Sequence, residues 1–568
     1  MSASYKTPLP FLAVAAVALI FQGTVFAQTP PRPPANAPDI GTAIKGAEGA
    51  RPVPVPQRVE PNIVPEAAVP SSEAQGGVTI FVSGFKLEDA EHIPEAEILA
   101  VLAPYINRNL TMQQLEEATS KVTELYRQRG YPVARALLPK QRADAGVITI
   151  RVVVGKYGPS SIENKSLIRD SVVEKTLRRH LKEGRSVHQA DLERAVLLIG
   201  DLPGAAQPPR LGMDAGQKPG TTEFFMEALP ENRFGGFLMS DNLGSRYTGR
   251  WRFGGGANVN SPSGMGDKLS VFALSTENAG LVNGTVNYAI PLGYDGLRAE
   301  VGYSHVQYEL GKEFKDMDAT GKSDTVDATL SYPILRASNR NLTAHLNYAH
   351  KQMEDEYDAF DWKRRKHSNV AKLGLKFENW TSLFGKPFYS RAEGGVTFGK
   401  MAMRADVDDR KTRGNFSYLT LGLAGNVSLT NSLSLSVAAS GQQSFGKNLD
   451  SSEQFSVTGA GGVREYREVI TGDNGYLLDA ELNYKLPAFA QGISHSVGVF
   501  ANVGYWEYEK KPFPDKHSDT LSGGGLGYSI GYKYFTLKTQ LMRSFGAYPN
   551  EVKRESRTWL SVQGTASF

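Results

Sequence analysis

Tyr476-Leu477-Leu478-Asp479-Ala480-Glu481-Leu482-Asn483-Tyr484-Lys485-Leu486 is the stretch whose reading decides the fold. Successive side chains of a strand point to opposite faces. Tyr476, Leu478, Ala480, Leu482, Tyr484 and Leu486 therefore share one face, and Asp479, Glu481, Asn483 and Lys485 the other. The pattern recurs upstream, where Val326, Ala328, Leu330, Tyr332 and Ile334 oppose Asp327, Thr329 and Ser331. It recurs again where Leu342, Ala344, Leu346 and Tyr348 oppose Thr343, His345 and Asn347. A soluble sandwich alternates in this way over about 100 residues. Here the alternation runs from about Phe234 to Phe568, roughly 335 residues, enough for about sixteen antiparallel strands at about 21 residues per strand and connection. The fold class predicted is a membrane β-barrel, with lipid on one side of its wall and water on the other.

Composition fits. Mean hydropathy is −0.32, and beyond the N-terminus no run of apolar residues is long enough for a helical span. The 58 glycines and 24 tyrosines suit tight turns, close strand approach and interfacial aromatic girdles. A net charge of +4, from 63 basic and 59 acidic residues, gives no reason to invoke nucleic acid. Cysteine is absent, which excludes disulfides and thiolate metal sites. The last run, with Leu560, Val562, Gly564, Ala566 and Phe568 on one face, resembles the C-terminal strand signal of outer-membrane barrels, so the barrel assembly machinery and outer-membrane lipid are expected contacts.

At the front, Lys6 precedes an apolar run from Phe11 to Phe21, and Val25-Phe26-Ala27 precede a cleavage site at Gln28, so residues 1–27 read as a secretory signal peptide. Residues 28–75 are a proline-rich linker. Within it Asp39 to Gly49 lacks proline, which leaves two readings open. It forms a short helix, or it continues the linker because Gly41, Gly46 and Gly49 each cost about 1 kcal/mol in a helix.

Between Val78 and about Gly220 the periodicity changes, and two α+β modules follow in series, over 76–155 and 156–229, ahead of the barrel at 230–568. The first reads as strand (Val78 to Val82), helix (Glu95 to Arg108), helix (Met112 to Arg129) and strands (Pro132 to Leu138, Val147 to Val154). In its second helix Thr111 and Gln114 make a capping box, Met112, Leu115, Ala118, Val122 and Leu125 form an apolar face, and Gly130 marks the stop. The second module repeats the order, with a strand near Ser160 to Glu163, helices near Ser171 to His180 and Gln189 to Gly200, and strands near Pro209 to Met213 and Thr221 to Glu227.

This order resembles the pair of POTRA domains of two-partner secretion transporters, the haemolysin secretion and activation type. Local matches carry the resemblance: Gly216-Gln217-Lys218-Pro219-Gly220-Thr221-Thr222, Asp241-Asn242-Leu243-Gly244-Ser245-Arg246-Tyr247-Thr248-Gly249, Ser452-Glu453-Gln454-Phe455 and Gly461-Gly462-Val463-Arg464-Glu465-Tyr466. It implies an outer-membrane pore with periplasmic POTRA domains that exports a large partner exoprotein bearing an N-terminal secretion domain. It also implies that a loop near 451–473 folds into the lumen, where the arginine of its motif Val463, Arg464, Glu465, Tyr466 pairs with an acidic residue of the wall. A guanidinium suits that role because it keeps its charge and offers a fixed fork of donors. The alternative for Arg464 is a solvated arginine.

Two positions depart from the family pattern. Glu465 replaces a glycine, which would strain the tip if a positive φ is needed there. Asn502, in Phe500-Ala501-Asn502-Val503-Gly504, replaces the wall aspartate, so Glu481 or Asp479 is expected to supply the charge. Partner capture by strand addition directs attention to the second module, with Leu192, Val196 and Ile199 on its helix and Arg210, Leu211 and Met213 on its strand as the candidate surface.

Enzyme-like strings carry no chemistry. Gly527-Tyr528-Ser529-Ile530-Gly531 lies between barrel strands, not on a strand-to-helix elbow, and Gly441 to Lys447 has no following helix to aim amides at a phosphate. Asp406, Asp408 and Asp409 lack the glycine and distal glutamate of a calcium loop. No enzyme activity, cofactor or metal is expected. The alternative function is an outer-membrane protein assembly factor, for which related architectures use more than two such modules.

Overall fold

The computed structural model describes residues 37–48, 58–64, 79–142, 144–408, 410–511, 517–546 and 556–568. The predicted signal peptide, and most of the linker, lie outside the described residues.

In the first module the Gln114 N–H donates to Thr111 Oγ1 (3.2 Å), and the Thr111 N–H donates to Gln114 Oε1 (2.9 Å), which starts the helix Met112–Gln128. Ala118, Val122 and Tyr126 on its inner face pack with Ile98 and Leu102 of the helix Glu95–Leu102 and with Ile150 and Val152. That helix is shorter than predicted. Pro104 enters a 3₁₀ turn at Ala103–Tyr105, and Arg108–Thr111 is a strand paired with Thr79–Val82. A further short strand, Gly84–Glu88, pairs in parallel with Val147–Val153.

The second module places the helices Asp170–His180 and Gln189–Gly200 against the strands Lys156–Asn164, Arg210–Ala215 and Thr221–Ala228. Its sheet has a fourth strand from the linker: Asn62–Val64 runs parallel to Arg210–Gly212 along the outer edge, and Ile63 packs on the module core. The modules meet where His92 stacks on Tyr131 (5.0 Å between ring centroids), Tyr131 meets His188 edge-on, and the Gln189 N–H donates to the Gly130 carbonyl (2.8 Å). The second module is clamped to the barrel's near rim, where Arg336 binds Asp201 with two bonds (2.7 and 2.8 Å) and Arg194 reaches Asp295 (3.3 Å).

Sixteen antiparallel strands close the barrel, each paired with its sequence neighbour, from Phe234–Asp241 to Thr558–Ser567. The seam joins Phe237–Asp241 to Gln563–Ser567, and Gly236 and Phe568 exchange two backbone bonds of 2.9 Å. Period-two alternation sets the two faces. Leu478 (46 % exposed), Val326 (57 %) and Leu373 (61 %) face outward with no protein partner to cover them, as a lipid-facing wall requires. Strand length is uneven. The first three strands have 8 to 9 residues, whereas the sixth to ninth (Ala319–Arg336, Arg340–Tyr357, Trp362–Leu383 and Lys386–Met403) have 18 to 22. Since about 9–11 residues cross a bilayer, this side of the wall stands well above it.

Candidate functional site in the barrel lumen

Among the described residues the lumen holds two pieces of chain: the helix Ile40–Glu48 and the loop between the eleventh strand (Leu433–Ser444) and the twelfth (Asn474–Lys485). The helix buries Ile40, Ile44 and Ala47 against Leu281, Tyr308, Met353, Val370 and Phe416 of the wall. One of its glycines, Gly41, which argues against a helix in isolation, has a role here. A Cβ on Gly41 would stand 2.1 Å from Ser451 Oγ and 2.4 Å from the Ser452 nitrogen, so only glycine lets the helix touch the loop. Gly41→Val is expected to loosen the helix and raise channel leak in planar bilayers. Unchanged conductance would show that the contact is dispensable.

Both helix ends are fixed by charge. Asp39 caps the start, accepting from the Thr42 N–H (3.1 Å) and from Ser451 Oγ (2.7 and 2.8 Å), while Arg364 reaches its other oxygen (3.0 Å). The Ile40 N–H donates to Asp355 (2.7 Å), which Arg364 also binds (2.8 Å), and Lys366 joins Asp450 of the loop (2.8 and 2.9 Å). One buried network thus ties helix, wall and loop. Burial opposes ionisation of Asp39, but the pull of Lys366 and Arg364 outweighs it and holds the carboxyl well below its usual range. A depressed carboxyl stabilises above its unfolded pKa and loses that contribution only on strong acidification, so this network persists at neutral pH. At the other end Arg252, paired bidentately with Asp241 (2.8 and 3.0 Å), donates to the Gly46 carbonyl (3.1 Å).

The four motifs quoted from the sequence converge unevenly. Three meet in the lumen. Glu453 accepts from Lys351 (2.8 Å) and Tyr418 (3.1 Å) on one wall, and Gln454 bonds Asp473 and Thr471. Glu468 accepts from the Arg246 N–H (2.9 Å) and from Ser245, which joins the loop to the segment opening the barrel. The Gly216 to Thr222 motif instead forms the turn between the last two strands of the second module.

At the loop tip Arg464 Nη2 lies 2.7 Å from Asp479 Oδ2, and its guanidinium lies 4.9 Å from the centre of the Phe500 ring. Asp479 and Asn502 are directly opposite in the register of adjacent strands, and Asn502 Nδ2 is 3.5 Å from the same carboxylate. The charge therefore sits one strand over at the same height. Glu481 does not reach the loop and faces Lys538 (3.6 Å).

Val463 and Tyr466 are fully buried. Tyr466 donates to the Phe545 carbonyl (2.9 Å), and Val463 packs where a Cβ on Gly504 would intrude at 3.0 Å. Glu465 does not have a positive φ, so the strain anticipated for it is absent. The wall makes the space instead, since a Cβ on Gly523 would lie 2.4 Å from the Glu465 carboxyl carbon. Burial pushes that carboxyl up to about 7, partly opposed by Arg464 and Asn502. A raised acid holds its proton more tightly when docked, so docking should weaken as pH rises from about 4.5 to about 7. Glu465→Gln is expected to flatten this dependence, read as limited proteolysis of the loop against pH. An unchanged slope would assign it to another group.

The candidate capture surface is corrected. Leu192, Val196, Ile199 and Leu211 are fully buried and Met213 nearly so, because the apolar face of helix Gln189–Gly200 is the core of the second module. Only Arg210 is exposed, and the backbone edge of its strand is already paired with Asn62–Val64. Of the acidic trio, Asp409 lies outside the described residues. Asp408 accepts from the Thr412 and Arg413 N–H groups, and among the described residues no side-chain cluster is arranged to hold a metal. Sequence reasoning missed Lys366, Lys351, Arg364 and Arg252, whose only signal is a basic residue on the inward face of a strand.

Comparison with known proteins agrees with this architecture. The model of the haemolysin secretion/activation protein ShlB/FhaC/HecB family matches residues 220–534, and that of the ShlB-type POTRA domain matches 80–155. The chain is 26 % identical over 446 residues to the heme/hemopexin transporter protein HuxB of Haemophilus influenzae, covering 76 % of this chain and 78 % of that one. It is 24 % identical over 495 residues to the outer membrane transporter CdiB of Dickeya dadantii, covering 84 % of each. The solved structure of CdiB from Escherichia coli superposes with a TM-score of 0.70 at 21 % identity, covering 90 % of this chain and 94 % of that one. A BamA structure from Haemophilus ducreyi shares the fold at a TM-score of 0.51 and 12 % identity, so the assembly-factor alternative rests on fold alone and is not favoured. These family members are transporters, not enzymes. The chain belongs to the haemolysin secretion/activation protein ShlB/FhaC/HecB family and is an outer-membrane secretion transporter with its POTRA domains in the periplasm.

Proposed function

We propose that the barrel exports one large partner exoprotein, delivered unfolded to the periplasm, after the lumen helix and loop move aside. The observation that carries this reading is the way the lumen is filled. Two described chain segments occupy it, held to the wall by ion pairs, hydrogen bonds and apolar contacts and by no disulfide crosslink, so they are removable. Net transport needs no nucleotide if the partner folds outside, since burial and hydrogen bonding there prevent return. Because HuxB is named a heme/hemopexin transporter, a haem-acquiring exoprotein is the first class of partner to seek. Comparing secreted and outer-membrane proteomes with and without this chain tests the reading. Loss of one very large secreted protein supports it, and general loss of unrelated barrels would make it an insertase.

Capture by strand addition requires a free sheet edge, and the first half of the edge at Arg210–Ala215, from Arg210 to Gly212, is filled by Asn62–Val64. An incoming strand would displace that segment. Because the chain has no native cysteine, Asn62→Cys with Arg210→Cys, directly paired in the register, makes a specific crosslink. Export is expected to stop on oxidation and resume on reduction. Export that continues at full rate through the crosslinked protein would exclude displacement.

A further inference from the structure

The outer wall changes character abruptly toward the far rim of its tall side. The outward face of the fifth to ninth strands (the fifth is Arg298–Glu309) carries Val301, Ala328, Tyr348, Ala371 and Phe398 in one register row, with Tyr348 and Phe398 51 % and 61 % exposed. The next row outward reads Tyr303, Val326, His350, Asn369 and Lys400. The row after it reads His305, Asp324, Gln352, His367 and Ala402, and the one beyond reads Gln307, Lys322, Glu354 and Arg365, with Arg404 just past the end of the ninth strand. Each step is two residues, about 7 Å along the strand. An apolar band that meets lipid tails therefore gives way within three steps to imidazoles, ammonium groups and guanidinium groups.

The order of strands gives this end its side. The second module is clamped to the rim where Asp295 and Arg336 lie, and the fifth strand runs from that rim toward Glu309. The polar rows thus stand at the outer-leaflet side, opposite the POTRA domains. They surround a depression of about 750 Å³ lined by Lys322, His350, Gln352, Arg365, His367 and Arg404. The acidic groups there do not cancel the charge. Glu354 alone faces Lys322 (3.6 Å), Lys363 (3.0 Å) and Arg365 (2.6 Å), and Asp324 is occupied by Tyr303 (2.6 Å) and His305 (2.8 Å). Glu356 is paired with Lys363 (3.0 Å). Lys322 and Arg365 keep most of their side chains in solvent (58 % and 73 % exposed), and Lys400 is exposed.

From this placement we infer that the rim depression binds the phosphate groups of an acidic outer-leaflet glycolipid, whose acyl chains lie on the apolar rows beneath it. Basic groups set directly above an apolar band fit a ligand with anionic head and apolar tail, and guanidinium groups match phosphate oxygens bidentately. A soluble anion would leave the adjoining band of Val326, Tyr348 and Phe398 without a role in recognition. The basic groups assigned to the ligand, Lys322, Arg365 and Lys400, take no part in the lumen network, although Met353 and Lys366, which do, line the floor of the same depression.

The test uses the full chain in detergent micelles and native mass spectrometry, with bisphosphorylated lipid A as probe and enzymatically dephosphorylated lipid A as its match in acyl chains. The wild type is expected to retain the phosphorylated lipid at a concentration roughly tenfold lower than the dephosphorylated one. Lys322→Gln, Arg365→Gln and Lys400→Gln together are expected to remove that preference while the unheated protein keeps its fast mobility on gels. Millimolar inorganic phosphate should not displace the lipid. Equal retention of the two lipids by the wild type overturns the inference whether or not the variant folds. A folded variant that keeps the preference, or displacement by free phosphate, overturns it as well.

Discussion

Arg464→Asp is expected to lower the exported partner in the medium by about tenfold or more while the barrel still assembles, and Asp479→Arg in the same chain is expected to restore a substantial part of it. The single reversal sets a new carboxylate against Asp479 at the place where 2.7 Å now separates opposite charges, and it removes the guanidinium from the face of Phe500. A charge-assisted bond contributes about 1.5–3 kcal/mol, and like charges at that distance repel. Each 1.4 kcal/mol is a factor of ten in the docked-to-undocked ratio of the loop. The double reversal recreates the pair, so recovery separates an ion-pair role from loss of packing. Secretion that stays low in the double variant, with normal barrel mobility, would show that Asp479 is not the functional partner.

The second large effect is expected at Asp39. This carboxylate meets Arg364, Ser451 and the Thr42 N–H at once and is nearly fully buried. Removing one partner from a buried ionic network costs about 3–5 kcal/mol, because the remaining charges lose a neighbour without gaining water. Lys366 and Arg364 keep Asp450 and Asp355, so the lower end applies, about 3 kcal/mol or roughly two powers of ten in the plugged-to-open ratio. Asp39→Ala should therefore raise single-channel conductance in planar bilayers and sensitise cells to large antibiotics. If conductance is that of the wild type, the apolar contacts of Ile40, Ile44 and Ala47 alone hold the helix.

Barrel and modules were legible because their signals are local. Alternation of Tyr476 to Leu486 needs only adjacent residues, the Thr111 and Gln114 box spans three positions, and the helix Gln189–Gly200 has the bounds that its apolar spacing predicts. The lumen was legible in part. The loop motif was read by resemblance, but Gly41 weighs against a helix locally and is needed only because Ser451, more than four hundred residues away, lies against it. The candidate capture surface failed for a related reason. A helix with Leu192, Val196 and Ile199 on one face looks the same whether that face covers a core or awaits a partner. Likewise, nothing in a proline-rich segment marks three residues, Asn62 to Val64, as the edge strand of a distant sheet. Basic residues at 351, 364 and 366 sit on the inward face, where polar residues are ordinary, and only the fold brings Glu453, Asp39 and Asp450 to them.

The pinned linker strand has a kinetic consequence. Thirteen residues separate Glu48 at the end of the lumen helix from Asn62 on the second module, a leash that reaches at most about 50 Å. While Asn62–Val64 stays paired, an expelled helix cannot diffuse away, and short leashes hold their cargo at an effective concentration on the order of millimolar. Re-entry is then a first-order event whose rate does not depend on how many copies the membrane contains. On the proposed export route, each channel would carry its own stopper on a string and reseal after a passage without recruiting another molecule.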